Sequence, residues 1–230
     1  MNFKSTLTKP VSYNNEYHNH MFGNWRENLF YKMKGEVAKR NIFDFDFNPG
    51  SKVLDFGCGI GQITAWIKNK YGYELNQEIY PELKKRGFKM FNSISSIPEN
   101  YFDEIVISMV LEHLENPIET IKVLSTKLKQ GGKIRINLPT PSFRVETDYE
   151  KLNSSHNGHY FSWGFSEINY LLNRCGFKVL LNKVIHRKGI DRFFCIYRIF
   201  GFDLYDNLIT LCGLLFASRD VDIIIVAEKI

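Results

Sequence analysis

The sequence has little of what marks a secreted, metal-binding or membrane-spanning chain. Its four cysteines are scattered, without a C-x-x-C pair or a histidine at ligand spacing, so we expect neither a disulfide framework nor a metal site. No apolar run approaches the roughly 20 residues that span a bilayer. The start of the chain also lacks the apolar stretch of a secretory signal. These absences predict a cytoplasmic protein without a transmembrane segment.

Charge of one sign is not concentrated in any part of the chain. Thirty Lys and Arg against 25 Asp and Glu give a formal net charge of +5, and blocks of five like charges are absent. A nucleic-acid partner is therefore permitted but not required. With 44% hydrophobic and 24% charged residues over 230 positions, the chain has the composition of a globular protein. A single domain of this size buries enough surface to need no disulfide or metal.

Apolar residues switch along the chain between short runs and helical spacing, which predicts alternating strands and helices. The predicted strands are 53–56, 71–75, 88–91, 104–108, 133–138, 177–181 and 221–227. The predicted helices are 25–40, 62–70, one capped by Asn76 that takes Pro81 in its first turn and ends at Gly87, one capped by Asn116 that ends at Gly131, and one capped by Ser162 that ends at Gly176. This alternation predicts an α/β fold: a Rossmann-like, doubly wound, seven-stranded and mostly parallel sheet with an antiparallel edge strand and helices on both faces.

A glycine-rich loop follows the first predicted strand. The run from Asp55 to Gln62 places Gly57, Gly59 and Gly61 at alternate positions, which suits a tight strand-to-helix turn that a ligand can approach closely. Glu74 ends the next strand, where a carboxylate can accept hydrogen bonds from both hydroxyls of a ribose. The G-x-G-x-G spacing differs from the dinucleotide fingerprint G-x-G-x-x-G, and the Gly-Lys-Ser/Thr of a nucleoside triphosphate loop is absent. The pattern favours an adenosyl ligand.

Three segments together resemble the class I S-adenosylmethionine-dependent methyltransferases. Residues 53–62 are similar to the first motif of that family, 102–114 to its fourth-strand motif, and 128–137 to the glycine turn before its fifth strand. The resemblance covers roughly 25–181 and the last strand. It implies S-adenosyl-L-methionine as cofactor and S-adenosyl-L-homocysteine as product.

The resemblance also implies the roles of individual residues. The glycines would let backbone approach the methionine end of the cofactor, Asp55 would orient the loop, and Glu74 would hold the ribose. Many relatives have an aspartate where this chain has Ser93, whose hydroxyl accepts a hydrogen bond more weakly. The full set of implied cofactor contacts is Asp55, Gly57, Cys58, Gly59, Gly61, Gln62, Glu74, Leu75, Ser93, Ile94, Ser108 and Met109.

Histidines supply the candidate catalytic groups. His113 follows the fourth strand and could take a proton from an acceptor hydroxyl, since imidazole has an ordinary pKa of about 6.5; packing behind the cofactor is the alternative. His159 lies in a segment that family members often bring to the cofactor cleft. Candidate substrate contacts are His18, His20, Trp25, His156 and Tyr160. An aromatic cluster that packs the N-terminal extension down is the alternative for the first three.

We expect one methyltransferase domain over 1–230: an N-terminal cap and helix (1–45), a cofactor-binding core (46–182), a helical insertion or lid (183–220) and a last strand (221–230). Residues 187–216 combine a basic flank with apolar residues, so they fit either packed helices or a peripheral contact with an anionic membrane or a lipid-linked substrate.

The expected activity is methyl transfer to an oxygen, less readily a nitrogen, of a small-molecule acceptor. The Asn/Asp-Pro-Pro-Tyr motif of amino-methylating relatives is absent, since residues 108–111 read Ser-Met-Val-Leu. No appended RNA-binding domain fits the length, which argues against a nucleic-acid partner. The alternatives are methylation of tRNA or protein and a non-catalytic binding domain; the oligomeric state is open.

Overall fold

The chain alternates strands and helices, as the apolar pattern predicts. The computed structural model describes residues 27–139, 160–186, 193–216 and 222–230. In chain order the elements are α1 (Asn28–Ile42), β1 (Val53–Phe56), β2 (Lys70–Tyr73), α2 (Tyr80–Lys85), β3 (Lys89–Phe91), β4 (Phe102–Ser108), α3 (Pro117–Lys127), β5 (Leu128–Pro139), α4 (Phe165–Arg174), β6 (Phe177–Ile185), α5 (Phe194–Phe200), α6 (Phe202–Phe216) and β7 (Asp222–Lys229). Short 3-10 turns lie at Gln77–Ile79, Ile94–Ser96 and Leu111–His113.

The strands of the described residues form one seven-stranded sheet in the order β3-β2-β1-β4-β5-β7-β6. β1 to β5 pair in parallel, and β7 runs antiparallel to both β5 and β6. The predicted fold class is thus confirmed, including antiparallel pairing at one edge. The chain order reverses between β1 and β4, so their connections diverge and leave a crevice at the carboxyl ends of these strands.

Alternate residues of each strand face opposite sides of the sheet, and helices cover both sides. Leu54, Ile105 and Ile136 pack against α3 and α4 on one side. Val53 and Val106 pack against the end of α1 on the other. A further layer lies outside α1, where α5 and α6 share a buried apolar cluster with it. The buried residues of that cluster are Phe30, Met33, Val37, Tyr197, Tyr205 and Ile209.

The predicted helix caps are confirmed in part. Asn76 Oδ1 accepts a hydrogen bond from the Glu78 N–H at 3.1 Å, but it caps the 3-10 turn Gln77–Ile79 that leads into α2, and the N-cap of α2 itself is Ile79. Pro81 lies in the first turn of α2, and Gly87 follows the helix with φ of 84°. Asn116 Oδ1 accepts from the Glu119 N–H at 3.2 Å at the start of α3.

The helix predicted over 62–70 is wrong, because residues 63–66 form turns. Two reasons are visible. The Thr64 hydroxyl donates to Asp55 Oδ2 at 2.8 Å, which holds it against β1. The Lys70 ammonium donates to the carbonyls of Ala65 and Ile67 at 3.0 and 3.1 Å, in place of the N–H groups that a continuing helix would supply.

Two other predicted boundaries are displaced. The Ser162 cap is wrong: α4 begins at Phe165, its N-cap is Gly164, and Glu167 reaches back to accept from the Gly164 N–H at 3.1 Å. α3 ends four residues before Gly131, because Leu128 already pairs with Phe102 in the sheet.

A buried arginine fixes the end of α1 to the sheet. The Arg135 side chain, on β5, is fully buried and uses all five N–H donors. Two bond the Glu104 carboxylate, at 2.5 and 3.4 Å, and three bond the carbonyls of Ile42, Phe45 and Asp46, at 2.8 to 3.1 Å. The guanidinium therefore satisfies carbonyls that the end of α1 leaves without helical partners.

Candidate active site

The glycine loop between β1 and the turns that follow is held by backbone hydrogen bonds. The N–H groups of Gly57 and Cys58 both donate to the Tyr73 carbonyl, at 2.8 and 3.1 Å. Gly57, Gly59 and Gly61 have φ of 71°, 49° and 76°, in the left-handed region that favours glycine. The alternating glycines are therefore required by the backbone of this turn.

The three glycines differ in what their missing side chains leave room for. A Cβ at Gly57 would lie 2.5 Å from Val110 Cγ2, and one at Gly61 would lie 2.6 Å from the Phe88 ring. Those two positions are closed by packing within the protein. A Cβ at Gly59 would meet no described atom within 4 Å. Of the three, Gly59 alone faces open space that a ligand could fill.

Glu74, just after β2, ties its strand to the loop. The side chain is buried, Oε2 accepts from the Gly59 N–H at 2.9 Å, and Oε1 accepts from the Asn76 N–H at 3.0 Å. A carboxylate has about four acceptor positions, so two remain for the hydroxyls of a ribose. The next residue, Leu75, is 70% exposed, which leaves an apolar surface for a flat ring to cover. These residues fit an adenosyl group.

Asp55 stands behind the loop. Its side chain is 1% exposed and accepts the Thr64 hydroxyl, so its visible role is to brace the loop from below. Burial, aided by the charge of Glu74, raises the pKa of Asp55 to about 7. Direct contact with the cofactor stays a prediction.

The first helix supports the loop from its other side. The Tyr31 hydroxyl donates to the Gly61 carbonyl at 2.7 Å, and the Arg86 guanidinium lies 4.0 Å from the centre of the Tyr31 ring. Gly35 of α1 passes so close that a Cβ there would lie 2.9 Å from Ala65 Cβ. Tyr31 was not among the predicted site residues, because its helical position gives no sign of a contact with the loop.

The other predicted cofactor residues lie around this loop. Cys58 is buried, and burial raises the pKa of its thiol, so the group is an inert packing element. Gln62 Oε1 is buried without a hydrogen-bond partner in the described part of the chain, which leaves an acceptor for a ligand donor. Ser93 is exposed and caps the 3-10 turn after β3 by accepting from the Ser96 N–H at 3.2 Å. Ile94 lines a cavity of about 190 Å³ beside α3.

The end of β4 carries strained backbone. Met109 has φ of 54°, a conformation uncommon for a residue with a side chain, and its N–H donates to the Asn137 carbonyl at 2.9 Å. The Asn137 amide donates to Ser108 Oγ at 3.0 Å, while its own Oδ1 is buried without a hydrogen-bond partner among described residues. Asn137 was missed as a site residue; its register opposite Ser108, at the end of the motif on β5, was the available signal.

His113 follows directly, beside a buried carboxylate. Its Nε2 lies 3.9 Å from Glu112 Oε1, and its side chain is 17% exposed. Glu112 is 1% exposed, and its carboxylate oxygens have no hydrogen-bond donor among the residues that the structure describes. Burial raises the pKa of Glu112 to about 7, with a smaller contribution from the charge of Asp222. Glu112 was not among the predicted site residues.

The raised pKa values have a consequence for stability. The carboxyls of Asp55 and Glu112 ordinarily titrate at 3.8 and 4.5, but in the folded chain they hold their protons to about pH 7. Between these values the folded state binds more protons than the unfolded state. The free energy of unfolding therefore falls as the pH rises through this window.

Of the predicted substrate contacts, Tyr160 is the one that the structure describes. Its N–H donates to the Glu112 carbonyl at 2.7 Å, which places it at the carboxyl edge of the sheet, and its side chain is 63% exposed. His18, His20, Trp25, His156 and His159 lie outside the described residues. Within the described segments, no three His, Cys, Asp or Glu side chains stand together as metal ligands would.

The stretch of sequence that forms this site is matched by the profile of a known family. The profile described as "Methyltransferase domain" matches residues 25–182, more than half of the chain. The chain belongs to the methyltransferase-domain family. The predicted resemblance to the class I S-adenosylmethionine-dependent methyltransferases is thereby confirmed, and with it the enzyme class and the expected cofactor.

Curated relatives of this methyltransferase include enzymes that act on different atoms. An uncharacterized protein of Methanocaldococcus jannaschii is 29% identical over 171 residues, which cover 71% of this chain and 80% of that one. Phosphoethanolamine N-methyltransferase 1 of Zea mays is 27% identical over 116 residues, which are 44% of this chain and 23% of the maize protein. Ubiquinone biosynthesis O-methyltransferase of Xanthomonas campestris is 27% identical over 37% of this chain and 42% of its own.

Solved structures share the fold of this methyltransferase at lower identity. An S-adenosylmethionine-dependent methyltransferase from Archaeoglobus fulgidus has a TM-score of 0.56 at 21% identity, covering 85% of this chain and 94% of its own. Phosphoethanolamine N-methyltransferase 2 of Haemonchus contortus, solved with S-adenosyl-L-methionine, has a TM-score of 0.59 at 15% identity. The match covers 96% of this chain and 60% of the Haemonchus chain.

Proposed function

We propose that the chain transfers the methyl group of S-adenosyl-L-methionine to an oxygen of a small-molecule acceptor. The observation that carries the proposal is the juxtaposition of Gly59, which faces open space, with the buried Glu74 carboxylate bonded to its N–H. An adenosyl group fits there with its ribose on Glu74 and its adenine against Leu75. Ser93 and Ile94, after β3, are proposed contacts for the adenine edge.

The methionine end of the cofactor is proposed to lie along Gly57 to Gly61, beside Ser108 and Met109. When bound, S-adenosyl-L-methionine supplies a methyl group on a positively charged sulfur. The chain's own contribution is alignment and proton removal. The left-handed turn at Met109 and the hydrogen bond from Asn137 to Ser108 fix the wall on which the acceptor must be aligned.

His113 is the proposed general base. It lies on the turn after β4, with its Nε2 3.9 Å from Oε1 of the buried Glu112. Above about pH 7, where Glu112 has lost its proton, the negative charge would stabilise a protonated imidazole. An acceptor hydroxyl would lose its proton to His113 as its oxygen takes the methyl group. Tyr160, whose backbone bonds Glu112, is a proposed part of the acceptor wall, together with His18, His20, Trp25 and His156; His159 is a second proposed catalytic group.

An oxygen acceptor is favoured over an exocyclic amine because the position after β4 carries Ser-Met-Val-Leu and no Asn/Asp-Pro-Pro-Tyr. The relatives include enzymes of both kinds. A small-molecule acceptor is preferred to a nucleic acid because the sequence contains no run of five like charges. A cytoplasmic location is also proposed, since all four cysteines are free.

The proposal is tested in two steps. Calorimetric titration of the purified chain should show binding of S-adenosyl-L-methionine and none of NAD. Methyl transfer from labelled cofactor is then measured with panels of phenols, carboxylates and lipid-linked sugars, and separately with amines. Activity with amines alone would move the acceptor atom to nitrogen, and cofactor binding with no turnover on any panel would favour a non-catalytic domain.

The base is tested with His113→Ala. Turnover should fall strongly while affinity for S-adenosyl-L-homocysteine stays within about twofold, because a general base contributes to the transition state and little to ligand binding. The matched control is His186→Ala, which removes a half-buried histidine at the end of β6. If both variants keep full turnover, His113 is a packing residue.

A further inference from the structure

The first helix, α1, makes contacts on two opposite sides. One side faces the glycine loop and the turns after it. There the Tyr31 hydroxyl donates to the Gly61 carbonyl at 2.7 Å, and Gly35 packs closely on Ala65. Tyr31 and Gly35 are four residues apart, so they share one face of the helix. This face supports the loop at which the cofactor is proposed to bind.

The other side of α1 faces α5 and α6. The Tyr197 hydroxyl, on α5, donates to Glu36 Oε2 at 2.8 Å. Arg40 Nε lies 3.2 Å from Asp206 Oδ2, on α6. Glu36 and Arg40 are also four residues apart, and at about 3.6 residues per turn they lie on roughly the far side of the helix from the loop. The same helix therefore contacts both the loop and the pair α5 and α6.

The packing of α5 and α6 also depends on α1. Among the described residues, the buried apolar cluster that contains these two helices has Phe30, Met33 and Val37 as its other members, and all three lie on α1. The rings of Phe30 and Phe194 meet edge to face, with their centres 5.2 Å apart. Neither α5 and α6 nor any other described helix is long and apolar enough to cross a membrane. A change in the order of α1 should therefore change the docking of α5 and α6.

Two partners that hold the same helix stabilise each other's contact with it. A ligand that orders the glycine loop also fixes the Gly61 carbonyl, and α1, which bonds this carbonyl, then has less freedom to lose when α5 and α6 dock on it. By linkage the effect is reciprocal. Docking of α5 and α6 must raise the affinity for the ligand by the same factor.

We propose that α1 couples the glycine loop to α5 and α6, and that Tyr197 is a positioning residue for S-adenosyl-L-methionine, acting through Glu36 and Tyr31 of α1. The proposal rests on the proposed placement of the cofactor at the glycine loop and on no property of the acceptor.

The position of α5 and α6 in the chain gives this coupling a consequence for the reaction. Ile185, at the end of β6, pairs with Asp222 at the start of β7, and Asp222 also pairs with Pro139 of β5. The segment between β6 and β7 therefore begins and ends at the carboxyl edge of the sheet. Cofactor binding would tighten a segment joined to the edge where the acceptor must arrive.

The first test is calorimetric titration of the full chain with S-adenosyl-L-homocysteine. Tyr197→Phe keeps the ring in its cluster and removes the hydrogen bond to Glu36, so binding should weaken by about 2- to 10-fold. Tyr31→Phe should weaken binding as well. The double variant should bind about as well as Tyr31→Phe alone, because the path from α5 to the loop is then already broken. Losses that multiply in the double variant would mean that the two tyrosines act independently, which overturns the coupling.

The matched control is Tyr101→Phe, which removes the 2.9 Å hydrogen bond between the Tyr101 and Tyr71 hydroxyls at the amino ends of β2 and β4. It should cost a similar amount of stability and leave the affinity within about twofold, since the pair is remote from α1 and the loop. A parent that does not bind S-adenosyl-L-homocysteine would overturn the cofactor placement and this proposal with it. A parent that binds, with Tyr197→Phe unaltered, would overturn the coupling alone.

Hydrogen exchange supplies a readout that a merely structural Tyr197 would not change. In the parent, S-adenosyl-L-homocysteine should slow the exchange of amides in α5 and α6, and Tyr31→Phe should remove that effect. The internal reference is α4, which packs on the other side of the sheet and should respond less. Equal exchange of α5 and α6 with and without the ligand would overturn the coupling.

Discussion

Replacing Gly59 by alanine distinguishes the effect of its left-handed backbone on folding from the effect of the open space on cofactor binding. An added Cβ would meet no atom of the described residues within 4 Å, so the cost to folding comes from the left-handed backbone. That cost is about 1–2 kcal/mol, which corresponds to a melting temperature lower by about 2–8 °C in a chain of this length. If the cofactor occupies the open space, the same Cβ should weaken its binding by about 1–3 kcal/mol, or roughly 5- to 150-fold.

The chain offers a matched control in Gly131→Ala. Gly131 has φ of 71°, and an added Cβ there would likewise meet no atom within 4 Å in the part of the chain that the structure describes. It lies in β5 before the segment that pairs with β4 near the site. Thermal unfolding and calorimetric titration with S-adenosyl-L-homocysteine are measured on both variants. Both should lose similar stability, and the Gly59 variant alone should lose affinity. Equal affinities in the two variants would refute the placement of the cofactor at Gly59.

Four further outcomes are expected. Glu74→Ala should weaken S-adenosyl-L-homocysteine binding by about 1–3 kcal/mol in calorimetry, because it removes a charged acceptor; unchanged affinity would contradict the ribose assignment. Chemical denaturation should show the parent losing stability between about pH 4 and pH 7, whereas Glu112→Gln loses less, by up to about 3 kcal/mol, and keeps the part due to Asp55; identical slopes would mean that Glu112 titrates normally. Tyr31→Phe should cost about 1 kcal/mol of stability and lower cofactor affinity, whereas unaltered affinity would show that the loop does not depend on α1. Arg135→Met should destabilise the chain by about 3–5 kcal/mol in urea unfolding, since a buried carboxylate loses its partner; a loss below about 1 kcal/mol would contradict that account.

Much of the fold was predictable because its signals are local. Asn76, Asn116 and Gly87 act through hydrogen bonds or backbone angles within a few residues, and the sequence shows them directly. The false helix at 62–70 had correct apolar spacing. No helix forms there because the side chains of Thr64 and Lys70 make hydrogen bonds to Asp55 and to the Ala65 carbonyl, and apolar spacing does not reveal such contacts.

The candidate site also contains residues that the sequence predicts and residues that it does not. The glycine loop and Glu74 were predictable from their order along the chain, since parallel strands bring their carboxyl ends to one edge. Tyr31 and Asn137 were not, because each reaches the site from an element distant in sequence. The raised pKa of Glu112 also depends in part on the charge of Asp222, on β7, and no motif of the sequence indicates that contact.

The hydrogen bonds of Arg135 set an order of events during synthesis. The carbonyl of Ile42 and its arginine partner are 93 residues apart, so α1 leaves the ribosome well before its anchor exists. At a typical rate of about 5–20 residues per second, the interval is on the order of ten seconds. Throughout that time the apolar side of α1 has neither β5 nor α5 and α6 to cover it. A newly made chain is therefore exposed to aggregation at α1 during this interval.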